Sequence, residues 1–192
     1  MRDNGMGRYF DLTDNMRIRH RWHLRAPRDE QGQPVNPWQF FEGKKLEPQG
    51  TIRFPVNPTG QVLDFTLDSF ATPVVHQRVV ELFEHQRIQD VQFIPVQVEG
   101  HDGPYFILNT LRTIRCIDDA RSGEVRYFTA DDEEPDRVGQ YRVVSGMRID
   151  PTKPGDAHIF RPWGWNVALI VSEDLKDAME AVGITGPKFE AV

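Results

Sequence analysis

A single cysteine, Cys116, stands among 192 residues, so no internal disulfide can form and folding needs no oxidising compartment. No run of about eighteen apolar residues occurs, which excludes a helical membrane span. The N-terminal segment MRDNGMGRYFDLTDNM has no apolar signal-peptide core, and the expected address is the cytoplasm. The marks of the commoner chemistries are missing too. There is no G-x-x-x-x-G-K-[ST] phosphate loop, no G-x-G-x-x-G and no G-x-S-x-G elbow. Gly43-Lys44-Lys45 lacks both the upstream glycine and the Ser/Thr that would hold magnesium.

Metal ligands are thin. His20 and His23 point to opposite faces of an extended segment. His76 and His85 lie half a turn out of alignment on one helix. Cys116, set between Ile114 and Ile117, reads as a small buried hydrophobe in mid-strand rather than a nucleophile. The expectation is therefore no catalytic residue, no metal centre and no cofactor. Basic charge is also in short supply. The chain carries 23 Lys and Arg against 29 Asp and Glu, a net charge of −6. Residues 1–50 hold nine basic and seven acidic side chains, and residues 51–192 hold fourteen and twenty-two. An acidic main body argues against nucleic acid and suits a basic protein partner.

What is present is ordinary globular composition, 39% hydrophobic and 27% charged, enough for one substantial core. The chain is organised around Asp64–Asp118. Thr72-Pro73 has the form of a helix start, and Val75, Val79, Leu82 and Phe83 follow at helical spacing, predicting a helix over about 73–86. His76, Arg78, Glu81 and Glu84 fall on its wet side. Val91–Val98 reads as a strand whose Pro95 demands an edge or a bulge. Gly100–Pro104 is a turn cluster, and Tyr105–Ile117 is a second strand, long enough to bend.

Before this centre, Arg8–Leu12 is a short strand. Arg17–Arg25 alternates, placing Ile18, His20, Trp22 and Leu24 on one face of a half-buried strand. Pro27–Pro37 is a turn-rich loop, and Trp38, Phe40 and Phe41 pack an extended segment onto the core. Thr51–Pro55 and Val62–Phe65 flank Asn57-Pro58-Thr59-Gly60 like the arms of a hairpin. After the centre come strands at Val125–Phe128, Tyr141–Ile149, His158–Arg161 and Val167–Val171. Asp131–Asp136 is an acidic loop, and Pro162–Asn166 is a compact turn with two tryptophans. Ser172 caps a second helix over about 173–182, with Glu173 and Asp174 against its N-terminal dipole. The sum is an α+β fold, mostly antiparallel sheet with two main helices. Residues 1–50 read as N-terminal strands or an extension that could join the same sheet, and residues 51–192 as the main α+β domain.

Six segments then follow one another in a fixed order: RYFDL; LDF ahead of Pro-Val-Val; VQFIPVQV; ILNTLRTIRCID with Ser122; HIFR; and ALIVSEDLKDAMEAVGITGPKF. Together they resemble a bacterial family of immunity proteins from polymorphic toxin systems, the myxobacterial type once known only as a domain of unknown function. The resemblance spans nearly the whole chain and is weaker through residues 13–50. It implies a non-enzymatic cytoplasmic protein that binds and neutralises a cognate toxin, encoded by an adjacent gene, with no nucleic acid or membrane partner. It carries over no toxin-contacting residue. Ile159, Phe160 and Leu169 read as core within its motifs, and Gly183 and Gly186 as turns. On this expectation the contacts come from Asp131, Asp132, Glu133, Glu134 and Asp136, from Trp163 and Trp165, and from His101 and Asp102. Two alternatives stay open. One is a small hydrolase or transferase with a carboxylate-based site using Asp64, Asp118 or His101. The other is a non-catalytic scaffold or oligomerising module.

Overall fold

Adjacent apolar residues recur along the strand-forming segments: Val74-Val75, Ile107-Leu108, Ile159-Phe160 and Ile170-Val171. Successive side chains of a strand point to opposite faces, so these pairs require sheets covered on both sides. The computed structural model describes residues 8–192; residues 1–7, part of the segment read above for a signal core, lie outside it. It contains β1 (Tyr9–Asp14), β2 (Ile52–Phe54), β3 (Phe65–Leu67), β4 (Pro73–His76), α1 (Gln77–His85), β5 (Val91–Val98), β6 (His101–Thr110) and β7 (Thr113–Ile114). There follow β8 (Glu124–Tyr127), β9 (Tyr141–Ser145), β10 (Ile159–Pro162), β11 (Ile170–Ser172), α2 (Glu173–Ala181) and β12 (Pro187–Ala191).

The strands form two five-stranded sheets, ordered β12-β1-β11-β10-β7 and β2-β5-β6-β4-β3, and a separate β8-β9 ribbon. Pairing is antiparallel except at β7/β10 and β2/β5. The α+β, mostly antiparallel expectation holds. Leu12, Val171 and Ile159 from one sheet meet Phe65, Val75 and Leu108 from the other in a shared cluster, completed by Val79, Leu82 and Phe83 of α1 and Leu175 and Met179 of α2. The remaining face of the second sheet, with Val74, Ile94, Val96 and Ile107, is covered by Trp22, Leu24, Phe40 and Phe41. The remaining face of the first, with Tyr9, Phe160 and Ile170, is covered by Cys116, Ile149 and Ala157. No helix among the described residues is long and apolar enough to cross a membrane.

Several expected elements shift, each for a physical reason. The first helix starts at Gln77, because Pro73–His76 forms a strand between β3 and β6. Two β-branched residues inside ladders on both sides outweigh the Thr-Pro start signal. His76 caps α1 instead, its Nδ1 accepting from the Arg78 N–H at 3.3 Å. Arg17–Arg25 is not a strand. Its backbone bonds go to the 55–61 connection, with the Trp22 N–H donating to the Gln61 carbonyl and the Arg25 N–H to that of Pro55. Trp22 is buried, as its place in the alternation implied, and its indole N–H donates to Thr66 Oγ1 at 2.8 Å.

Thr51–Pro55 and Val62–Phe65 are not a hairpin either, since β2 and β3 occupy opposite edges of the second sheet. The turn placed at Gly100–Pro104 is tighter: only Glu99 and Gly100 separate β5 from β6, and His101 and Asp102 open the strand. Pro95 meets its constraint in both forms, as β2 pairing begins at Val96 and the register shifts between Val96 and Val98. The run Tyr105–Ile117 does bend: β6 ends at Thr110 and β7 joins the other sheet. Cys116 is buried beyond β7, outside any strand. Phe40 and Phe41 are buried, but Trp38 is not. Tyr141–Ile149 shortens to β9, and β12 was missed.

The return from α2 shows how closely the sheets approach. The Phe65 N–H donates to the Thr185 carbonyl at 3.0 Å and the Asn15 N–H to the Gly186 carbonyl at 2.7 Å. Gly186 has φ +105°, and a Cβ there would lie 2.0 Å from the Phe65 carbonyl oxygen. Gly183 has φ +66° with open space around it. Gly183→Ala should therefore cost only the left-handed strain, about 1–2 kcal/mol. Gly186→Ala should cost several times more, because backbone must move. Denaturant unfolding of the two variants checks this ranking; equal losses would refute the close approach.

Candidate functional site

Asn36 and Pro37 set the first wall of the site. The Asn36 side chain accepts from the Trp38 N–H at 3.1 Å, and proline opens a 3₁₀ turn over Pro37–Phe41. Three residues per turn place Trp38 and Phe41 on one side, their rings 5.8 Å apart. Phe41 turns inward while Trp38 stays 55% exposed. Phe70 stands edge-on to Trp38 at 6.1 Å and is 41% exposed. An Asp68 turn holds it there, with Asp68 Oδ1 accepting from the N–H groups of Phe70 and Thr72, each at 2.8 Å.

The second wall is the turn between β10 and β11. Gly164, at φ +79°, lets its carbonyl accept from the Tyr141 N–H at 3.2 Å. Asn166 Nδ2 donates to the Phe41 carbonyl at 2.9 Å and ties the two walls together. Behind them Arg161 is fully buried. Its Nη1 donates to the carbonyls of Asn166 (2.7 Å) and Ala168 (3.3 Å), and its guanidinium lies 4.3 Å from the Phe41 ring centre. A third wall comes from the loop joining β8 to β9, where Arg137 stacks on Phe128 at 4.0 Å and Gln140 holds the Asp136 carbonyl. Trp38, Phe41, Trp165, Val167, Arg137 and Gln140 thus enclose an open cleft of about 460 Å³. Val167, 47% exposed, and Trp165 extend it into a smaller hollow beside Leu67 and Ala71.

The acidic loop leads into this cleft: Gln140 holds its Asp136 carbonyl, Arg137 follows directly, and both line the cleft. Asp132 accepts from the Thr129 N–H and hydroxyl and pairs with Arg142, which together hold its carboxyl below the usual carboxylate range. Glu134 pairs with Arg137. Asp131, Glu133 and Asp136 are exposed and make no ion pair among the described residues. The other predicted contacts divide. Trp165 lines the cleft, whereas Trp163 lies under the Arg115 guanidinium, 3.3 Å from its ring centre. His101 stands edge-on to Trp22 at 4.9 Å, and with Asp102 it borders a separate, polar cleft of about 800 Å³. Trp38, Phe70 and Val167 are the members that sequence reading passed over. The Asn-Pro start and the i, i+3 spacing of Trp38 and Phe41 were the available signal for the first. Phe70 and Val167 had none.

The carboxylates of the hydrolase alternative serve the fold. Asp64 Oδ2 accepts from Arg78 Nη1 (2.6 Å) and from the Thr185 N–H and hydroxyl (both 2.9 Å). Asp118 Oδ1 accepts from the Arg121 N–H within its own turn. Neither contacts His101. Among the described residues, no group of three or more His, Cys, Asp or Glu side chains could hold a metal ion. Burial pushes the Cys116 thiol up to about 12, which keeps it protonated and inert.

Asp11, on β1, faces the interior near Arg161, and its Oδ1 has no hydrogen-bond partner among the described residues. Burial raises its pKa to about 6, against a backbone hydrogen bond at Leu169 and the attraction of Arg161. A carboxyl that holds its proton more tightly when folded contributes stability that is full below its unfolded value, near 4, and lost as pH rises through 6. Asp11→Asn should gain about 2–3 kcal/mol relative to the parent between pH 4 and pH 6. The attraction of Arg161 is already contained in that raised value, so the amide's own packing adds only a pH-independent offset. Unfolding free energies at pH 4, 5, 6 and 7 measure the difference; a flat difference refutes the assignment.

No curated protein matches the chain. The family model described as Immunity protein family (Imm11) matches residues 1–192. With the whole length matched, the chain belongs to the Imm11 immunity protein family.

Proposed function

We propose that this immunity protein acts by binding a cognate protein toxin directly and keeping it inactive in the cytoplasm of the cell that makes both. The toxin is the product of an adjacent gene in a polymorphic toxin system used in bacterial competition. The match of the immunity family to the full chain carries this reading. Two features of the molecule support it. Trp38, Trp165 and Val167 line one open cleft, with Phe70 edge-on to Trp38, and tryptophan is the side chain most enriched where protein partners bind tightly. The Asp131–Asp136 loop, which leads into that cleft, carries exposed carboxylates suited to a basic partner.

In this reading the Asp131–Asp136 loop, with Asp132 and Glu134 as its internally paired members, borders the toxin contact, and Trp165 anchors it. Trp163, His101 and Asp102 lie off this cleft and form secondary contacts. Occlusion is the mechanism: a rigid, mostly β body covers the toxin's working surface, and no bond is made or broken in the protein. Co-expression with the adjacent gene's product is the test, scored by survival and co-purification. Rescue with a stable complex is expected. Rescue without a complex would mean that the protein undoes the toxin's damage, and absence of both would overturn the reading.

A further inference from the structure

Resting on that reading, we infer that the Trp38–Trp165 cleft takes one large apolar side chain of the toxin, from a segment carrying Lys or Arg within a few residues of it. Large exposed apolar side chains are unremarkable singly and meaningful when clustered. Here Trp38 and Val167 are exposed and line one opening, and Phe70, also exposed, stands edge-on to Trp38. The cleft, about 460 Å³, has the size of a ligand pocket, and its floor is fixed before binding by the bond from Asn166 to the Phe41 carbonyl. A preformed aromatic slot costs little ordering when an anchor enters.

Charge then selects the occupant. The loop that leads into cleft-lining Arg137 and Gln140 holds Asp131, Glu133 and Asp136 exposed and without ion pairs among the described residues. Arg137 is itself paired with Glu134, which leaves the loop net negative. Nucleic acid and anionic lipid are repelled by such a loop. A second copy of this chain is disfavoured, because a two-fold contact through the cleft would draw two copies of the same net-negative loop toward each other. An apolar anchor flanked by cations satisfies both the slot and the loop.

The test uses the full chain and the toxic domain encoded by the adjacent gene, carrying an inactivating substitution. Trp38→Ala and Val167→Asp should each weaken binding at least 30-fold, mainly through faster dissociation. Asp131→Asn/Glu133→Gln/Asp136→Asn should slow association about tenfold at low salt, with little difference from the parent at 0.5 M salt, where screening acts within about 4 Å. Val62→Ala, exposed elsewhere, should bind as the parent does. Unaltered melting profiles keep these losses attributable to contact, and hydrogen exchange on the unmodified complex should show protection over residues 36–41 and 163–168. Tight binding by Trp38→Ala and Val167→Asp, within twofold of the parent, would overturn the inference while leaving direct toxin binding intact. No binding by the parent would overturn both. A parent that sediments as a dimer, with Trp38→Ala a monomer, would make the cleft a self-interface and also overturn it.

Discussion

Everything in this structure follows from sheets that are apolar on both faces. Where Val74 and Val75, Ile107 and Leu108, or Ile170 and Val171 stand side by side, alternation sends one of each pair to either face, and neither can be left to water. Each sheet therefore needs two covers. One is shared, the cluster in which both sheets bury a face together with α1 and α2. The others are local: residues 22–41 over the second sheet, and the segments around Cys116, Ile149 and Ala157 over the first. The long connections of this protein, poor in regular structure, are the material of those covers.

The aromatic cleft arises where such a cover runs out. Phe40 and Phe41 complete the apolar layer over the second sheet, while Trp38 lies past its edge. The turn after β10 closes from the other side, because Asn166 must reach the Phe41 carbonyl and Arg161 must satisfy itself on the carbonyls of residues 166 and 168. Arg161 still keeps Nε and Nη2 without partners among the described residues, as Asp11 keeps Oδ1. A fully buried guanidinium so placed is a costly way to fill space. Its position beneath Phe41 and behind Asn166 shows what that cost supports: the fixed floor of the cleft.

The occlusion proposed for this immunity protein asks only for a stable body and a specific surface. The carboxylates and histidines that looked available for chemistry are spread among other tasks: Asp64 binds Arg78 and Thr185, Asp118 closes a turn, and His101 packs on Trp22. The acidic loop is different. Two of its five carboxylates, Asp132 and Glu134, are consumed internally by Thr129, Arg142 and Arg137, which give it shape. The rest, Asp131, Glu133 and Asp136, is left exposed in the loop that leads into the aromatic cleft, and charge outside an apolar centre is the arrangement on which protein recognition relies.

The sequence by itself determined the local, strongly patterned parts. Val91–Val98, the second helix with its Ser172 cap, the exposure of the acidic loop and the α+β class depend on interactions among near neighbours, and each was legible from residue type and spacing. Tertiary structure decided wherever a backbone bond needed a distant partner. Pro73–His76 became a strand because β3 and β6 lay on either side, and Arg17–Arg25 lost its strand because the 55–61 connection, and no sheet edge, supplied its partners. The cleft belongs wholly to this second kind. Residues 38, 41, 137 and 165 meet only after both sheets are covered, and no periodicity along the chain records a contact made across it.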